Sequence, residues 1–264
     1  MTFLAAIALC PGFGRADPVP PEILTNPPAA DVIILGEVHD NPHHHGNQAQ
    51  AVARVAPAAV VWEMLTPDQA GRMPRDRLNA GRVAEALGWA GWPDFALYHP
   101  IVLAARDAHH YGGGLPRTDV RRAFDLGAAG VFGDDAARYG LSAHLPEGEQ
   151  AVRAQIQFEA HCQAMPMEMM GGMVEAQRLR DAALARAVVR AMAETGGPVV
   201  VITGNGHART DWAVPAVLRR AAPELTVWSL AQVESDPGPG APWDAWLLTE
   251  AQDRADPCLS LTGG

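Results

Sequence analysis

Short, uninterrupted apolar runs recur along the chain and alternate with segments in which apolar residues return every three or four positions. Such runs are typical of strands buried on both faces of a parallel sheet, and the intervening segments are typical of amphipathic helices. The predicted strands cover residues 31–35, 58–62, 111–115, 199–203, 225–230 and 243–248. Their alternation with helices predicts a three-layer α/β/α fold with a mainly parallel sheet.

No strand pattern occurs between the third and fourth predicted strands. We expect an all-helical subdomain over about 117–195, with helices over 147–162 and about 167–194. A further helix is predicted over 100–109. The glycines at 112–114 weaken the third strand, so either this strand is short or its backbone passes very close to a neighbour.

The N-terminal part of the chain predicts a processing segment ahead of a single domain. Residues 1–16 contain a short apolar run and small residues before Asp17, as in a signal segment, and Cys10 is a weak candidate for lipidation. A proline-rich lead-in follows over 17–30, and one α/β domain is predicted over 31–264. We therefore expect an exported protein, periplasmic or membrane-anchored, and no apolar run is long enough for a transmembrane helix.

Charge and cysteine content narrow the candidate functions. Thirty acidic residues against 20 basic ones give a net charge of −10, which argues against nucleic acid as a partner because phosphates require clustered basic residues. Without the first 16 residues, only Cys162 and Cys258 remain. In an oxidising compartment they are a candidate disulfide, and two buried free thiols are the alternative.

Acidic and imidazole side chains follow three of the apolar runs, and two of these runs end in a Gly-x-x-His corner, Gly36 to His39 and Gly204 to His207. Gly36, Glu37 and His39 follow the first predicted strand, Glu63 follows the second, and His207 follows the fourth. Because ligands bind at the carboxyl ends of parallel strands, we expect these side chains to converge. The set of Glu37, His39, Glu63 and His207 would hold a divalent metal ion or form the catalytic acid–base groups of an enzyme. The alternative is that these groups cap and join loop ends.

Three consecutive histidines follow the first corner. His43, His44 and His45 cannot all face one way at the start of a helix, so we expect one to join the site and the others to be solvated. Asp40 and Asn41 before them suit a turn and a helix N-cap.

Several motifs resemble the ChaN family of haem-binding uptake proteins, within a superfamily that includes Tiki-type metalloproteases and erythromycin-esterase-like proteins. The resemblance extends from about residue 32 to 258. It is carried by Gly36 to Pro42 with His44 and Gln48, by Trp62 to Met64, by Tyr98 to Ile101, by His161 and Cys162 with Gln177, Arg180 and Asp181, and by Gly204 to Arg209.

The resemblance implies a haem-binding protein of an iron-uptake pathway. By this resemblance Tyr98 matches the tyrosine that ligates iron and His161 the assisting histidine, and phenolate suits ferric haem. Met165 and Met169, with nearby aromatic residues such as Trp92, would line an apolar porphyrin pocket, although core packing explains their helical spacing equally well. A homodimer and an outer-membrane haem or iron uptake receptor are the partners that the resemblance suggests.

Two functions therefore remain open at this stage. The first is an exported haem-binding protein. The second is a hydrolase, metal-dependent or built on Glu and His, in which a bound metal ion would activate water and a glutamate would act as general base. The two sites need not coincide.

Overall fold

A seven-stranded sheet, parallel throughout, organises the chain in the computed structural model, which describes residues 17–89, 91, 93–256 and 258. The sheet order is β1-β7-β6-β2-β5-β3-β4. Its strands are β1 Asp17–Pro18, β2 Val32–Glu37, β3 Ala59–Trp62, β4 His109–Gly112, β5 Val199–Gly204, β6 Val227–Val233 and β7 Ala245–Leu248. The predicted signal segment with Cys10, and Trp92, lie outside the described residues.

Eight α-helices connect these strands within the described residues. They are α1 Pro42–Val55, α2 Pro67–Ala70, α3 Ala80–Leu87, α4 Phe95–Ala104, α5 Arg117–Phe132, α6 Glu147–Ala160, α7 Met170–Thr195 and α8 Val214–Ala221. In the described part of the chain, no helix is both long and apolar enough to span a membrane.

Side chains that alternate along the strands build a separate core on each face of the sheet. Ile34 and Val201 belong to the core that also contains Leu184 of α7. Ile33 and Val60 belong to the opposite core with residues of α1 and α4. Because successive side chains of a strand point to opposite faces, strands of uniformly apolar residues fill both cores. The predicted three-layer α/β/α fold with a parallel sheet is confirmed.

The third strand and the helix before it lie earlier than predicted. The strand ends at Gly112, and α4 covers Phe95–Ala104 rather than 100–109. The apolar pattern did not predict the start of this strand, because its first residues are polar. His110 is held in the strand by accepting a hydrogen bond from Trp62 Nε1 at 2.9 Å. The following backbone passes close to its neighbours: a Cβ on Gly114 would lie 2.5 Å from the carbonyl oxygen of Glu63.

The segment at 117–195 is helical as predicted, but its helices play different parts. Helix α7 packs on the sheet and contributes Leu179, Leu184 and Val188 to the core. Helix α6 has no buried residue and lies outside this layer. Cys162, just after α6, forms a disulfide with Cys258, with the two Cα atoms 5.3 Å apart. The bond ties the end of the chain to the end of α6.

Candidate functional site

The first Gly-x-x-His corner surrounds a buried carboxylate at the end of β2. Gly36 is required there, because a Cβ would collide with the side-chain oxygen of Asn205. Glu37 is fully buried, and its Oε1 accepts hydrogen bonds from His39 Nδ1 at 2.7 Å and from the Tyr98 hydroxyl at 2.5 Å. The carboxylate therefore orients the imidazole of His39 and engages the hydroxyl of Tyr98 in a hydrogen bond.

His39 carries a positive charge at neutral pH. Its burial disfavours the charged form, but the hydrogen bond to Glu37 and the charge of Glu63 outweigh this and raise its pKa to about 9. The imidazole is about a quarter exposed and faces the solvent side of the corner. It is a cation held in place by carboxylates on both sides.

Glu63, at the end of β3, lies between the two predicted histidines. Its Oε2 accepts hydrogen bonds from Thr203 Oγ1 and from the backbone N–H of Gly204, both at 2.7 Å. Its Oε1 lies 3.5 Å from His207 Nε2 and 3.9 Å from His39 Nε2. Burial disfavours the carboxylate, but the two imidazolium charges outweigh this and lower its pKa to about 2.

His207 is paired with an aspartate that the sequence analysis did not assign to the site. Asp181 of α7 accepts a hydrogen bond from His207 Nδ1 at 2.7 Å. Burial raises the pKa of Asp181. Burial opposes protonation of His207, but the charges of Glu63 and Asp181 raise its pKa nevertheless. The available signal was the Arg180-Asp181 pair among the family motifs, although nothing in it indicated a partner 26 residues along the chain.

The three consecutive histidines have three different environments. His45 is buried and donates from Nε2 to the backbone oxygen of His39 at 3.0 Å, while its Nδ1 lies 3.4 Å from Glu37 Oε2. His43 is half exposed. One histidine thus joins the site and one is solvated, as predicted.

The expectation for His44 was wrong, because this residue is fully buried. The N–H of Val38 donates to His44 Nδ1 at 2.8 Å, and His44 Nε2 lies 2.7 Å from Thr249 Oγ1. Burial lowers the pKa of His44 to about 4. A neutral imidazole therefore fixes the loop after β2, and it takes no part in the charged site.

A cavity of about 850 Å³ opens above these strand ends. One wall carries the polar groups Glu37, His39, Glu63 and His207. The remaining wall is built largely from α6, α7 and the loops after β5 and β6. It includes Ile156, His161, Val174, Trp212, Trp243 and the arginines at 153, 180 and 209. A second cavity, of about 450 Å³, shares His39, Glu63 and Arg180 with the first.

His161 lines this cavity with one ring nitrogen available. Its Nδ1 lies 2.7 Å from the carbonyl oxygen of Gln157, so Nδ1 carries the hydrogen and donates it. With Nδ1 as the donor, Nε2 is the nitrogen on which this ring can carry a lone pair. This is the arrangement in which a histidine serves as a metal ligand, because the other nitrogen is fixed by a hydrogen bond.

The placement of Tyr98 disagrees with the prediction that it ligates iron. Tyr98 is completely buried, its hydroxyl is engaged by Glu37, and it does not line the large cavity. Burial and the charge of Glu37 raise the pKa of its hydroxyl, which disfavours the phenolate that iron requires. Its ring packs between His45 and Trp89.

The two methionines predicted to bind the cofactor are also outside the cavity lining. Met169 is 46% exposed, and Met165 is partly buried. Both precede α7 in the connection from α6. Neither the predicted pocket-lining role nor the core-packing alternative describes Met169.

The predicted metal site does not form as such. Glu37, His39, Glu63 and His207 do converge, but the described residues include no group of three or more His, Cys, Asp or Glu side chains suited to holding a metal ion. The four side chains are arranged as ion pairs, with Glu63 Oε1 lying 3.9 Å from His39 Nε2 and 3.5 Å from His207 Nε2.

A parallel sheet whose strand ends present imidazole–carboxylate pairs to a large cavity defines a ligand-binding α/β protein. Residues 23–218 match the family model described as haem-binding uptake, Tiki superfamily, ChaN. The chain belongs to this ChaN family, as its motifs predicted. No curated protein sequence matches it.

Solved structures support the fold. ChaN of Campylobacter jejuni, whose structure concerns cofacial haem binding, has a TM-score of 0.62 and 18% identity, covering 82% of this chain and 85% of that one. The type III effector HopBA1 has a TM-score of 0.49 and 11% identity, covering 91% and 99%. An erythromycin esterase variant in its open conformation has a TM-score of 0.43 and 13% identity, covering 84% and 76%. The first likeness bears on the fold alone, and the last two are too weak to support an argument.

Proposed function

We propose that this chain binds ferric haem in the large cavity between the strand ends and helices α6 and α7. The observation that carries the proposal is His161, whose Nε2 lone pair is available in the cavity wall of a chain that belongs to a haem-binding family. The cavity volume of about 850 Å³ lies within the range of pockets that enclose cofactors.

The lining of the cavity suits a porphyrin on chemical grounds. Trp212, Trp243 and Ile156 offer apolar surface for the macrocycle, and the arginines offer positive charge for its carboxylates. Haem would supply an iron that takes an axial ligand from the protein, and imidazole is one of its usual ligands. His161 would be that ligand, and its bond to Gln157 would keep Nε2 as the coordinating atom.

The test is a titration of the purified chain with ferric haem, followed by absorption. The wild type should give a saturable shift of the haem spectrum, and His161→Ala should weaken binding and change the spectrum of the bound form. His109→Ala is the matched control, since His109 is an exposed histidine on β4. A wild-type chain that produces no saturable shift would contradict the proposal.

We also propose that the protein is exported and acts in haem or iron uptake. The support is the Cys162–Cys258 disulfide, since structural disulfides persist in oxidising compartments. Fractionation of cells that express the full chain should recover it outside the cytoplasm, with both cysteines protected from alkylation until reduction. Recovery in the cytoplasm with Cys162 and Cys258 as free thiols would contradict export.

A second copy of the chain is the partner that the surface favours. Val152, Ile156, Met167 and Met169 are exposed apolar residues on and after α6, close to the cavity wall. Sedimentation of the apo and haem-loaded protein would detect a homodimer, and a monomer under both conditions would contradict it. A direct contact with an outer-membrane uptake receptor stays a prediction.

A hydrolase is the second candidate, and the pairing of His207 with Asp181 favours it. An imidazole held by a carboxylate at Nδ1, with Nε2 directed at Glu63, has the arrangement of an oriented acid–base group. Its raised pKa suits a proton donor, and ionised Glu63 stabilises the charge of the imidazolium. A screen of ester and amide substrates with wild type and His207→Ala tests this, and equal turnover by both would contradict it.

A further inference from the structure

Arg180 of α7 lies in the wall shared by the two cavities, directly before Asp181. Its Nε is buried from solvent and has no hydrogen-bond partner among the described residues. Buried N–H groups are nearly always paired in folded proteins, so this one is an exception, in a side chain that is only partly buried and lines the cavity. A guanidinium requires an acceptor, and an anionic one is preferred.

Two neighbouring arginines of the cavity differ from Arg180 because each has an acidic partner. Arg209 is engaged by both carboxylate oxygens of Asp211, at 3.1 and 2.7 Å, and Arg153 is paired with Glu149. No ion pair joins Arg180 to an acidic side chain in the part of the chain that the structure describes. Arg153 shares one property with it, because its Nε is also buried without a hydrogen-bond partner.

The acidic residues nearby are not available to satisfy Arg180. Asp181 is committed to His207, and Glu63 accepts hydrogen bonds from Thr203 and Gly204. The chain has ten more acidic than basic residues, and this guanidinium in the cavity wall has no carboxylate partner among the described residues. Since these acids already have partners, a ligand that carries an anionic group would supply the acceptor.

We propose that Arg180, assisted by Arg153, binds a carboxylate of the ligand and thereby fixes its orientation in the cavity. This inference rests on the proposed function, and the carboxylate is then a haem propionate. The planar fork of a guanidinium matches a carboxylate with two parallel N–H donors, which a lysine ammonium cannot reproduce. Arg180 is accordingly a specificity-determining residue for ligands that carry a free carboxylate.

The experiment compares ferric haem with its dimethyl ester, which has the same macrocycle and iron but no carboxylate. Both are titrated into wild type, Arg180→Gln, Arg180→Lys and Arg190→Gln. Arg190 is the matched control, since it lies on the same helix, is mostly exposed and pairs with Glu194. Circular dichroism and thermal unfolding verify that each variant is folded.

Wild type should bind haem roughly 10- to 100-fold more tightly than the dimethyl ester, the range expected for a hydrogen bond to a charged group. Arg180→Gln should bind haem about as weakly as wild type binds the ester, with little effect on ester binding. Arg180→Lys should fall between them, and Arg190→Gln should match wild type.

Two results would overturn the inference while leaving haem binding intact. One is equal affinity of the wild type for haem and for the ester, a comparison that requires no folded variant. The other is unchanged haem affinity in a folded Arg180→Gln protein. A wild-type chain that binds neither compound would remove the proposed function, and the inference with it.

Discussion

The two Gly-x-x-His corners have the same sequence pattern but obtain their carboxylates differently. His39 is held by Glu37, two residues earlier on the same loop, at 2.7 Å. His207 is held by Asp181 of α7, which lies 26 residues earlier in the chain. The distance from His207 Nδ1 to the carboxylate is also 2.7 Å. One pair is encoded locally and the other depends on the packing of a helix. A short motif can therefore identify an imidazole without identifying its partner.

Glu63 joins the two corners into one alternating chain of charges. From one end to the other, the order is Glu37, His39, Glu63, His207 and Asp181. Each imidazole has a carboxylate on both sides, which explains why the pKa of both histidines is raised although burial opposes protonation. The chain of charges is most sensitive at its centre, where one carboxylate faces both imidazoles.

Removal of the central carboxylate should have the largest effect on stability. Glu63→Ala removes the carboxylate that both imidazoles share and leaves two donors of β5 without an acceptor. We expect a loss of about 3–5 kcal/mol in the free energy of unfolding, as for a broken buried ion pair. Denaturant unfolding measures it, with exposed Glu85→Ala as the control, expected to change stability by less than about 0.5 kcal/mol. A loss below about 1 kcal/mol would show that the corners are independent.

The locally paired corner should make stability fall at alkaline pH. The pKa of His39 is raised from 6.5 to about 9, so its contribution is fully present below pH 6.5 and is lost as the pH rises through 9. That difference corresponds to at most about 3 kcal/mol. Glu37→Gln should flatten the dependence between these pH values. A wild type whose unfolding free energy is constant from pH 6.5 to 9.5 would contradict the assignment.

Removing the negative charge of Asp181 should lower the pKa of His207 and the stability of the protein. Asp181→Asn keeps the shape of the side chain but removes the carboxylate from His207, so the pKa of His207 should fall. Stability should decrease by about 1.5–3 kcal/mol, the contribution of a hydrogen bond to a charged group. NMR titration of the two histidines separates the corners. An unchanged pKa of His207, or an equal fall for His39, would contradict the pairing.

The smallest effect on stability is expected for removal of the Tyr98 hydroxyl. Tyr98→Phe removes one hydrogen bond to Glu37 and should cost about 1 kcal/mol. Haem binding should be unaffected, because Tyr98 does not line the large cavity. If a folded Tyr98→Phe protein loses the haem spectral shift, tyrosine ligation would have to be restored in place of His161.

The strands, the three layers and the meeting of four site residues were predictable because apolar runs report burial directly. The role of Asp181 was not predictable, since an aspartate in an Ala- and Arg-rich helix is usually solvated. Only the fold shows that this residue faces His207. The burial of Tyr98 was not predictable for a related reason. Its family position suggested a ligand, but only the packing of α4 shows that Glu37 takes its hydroxyl.

The Cys162–Cys258 pairing was one of two alternatives left open by the sequence, and the fold decides it by bringing the ends of two distant segments together. The third strand was shifted because its first residues are His109, His110 and Tyr111, a polar start that apolar periodicity does not recognise. In each case the missing information was a partner distant in sequence.

The most direct test of the account is a crystal structure of the chain with ferric haem. We predict the porphyrin in the cavity between the strand ends and α6–α7, with the iron on His161 Nε2 and a propionate at Arg180. The pairs of Glu37 with His39 and Asp181 with His207 should be retained. Haem bound elsewhere on the molecule, or ligated by Tyr98 after it leaves Glu37, would contradict the account.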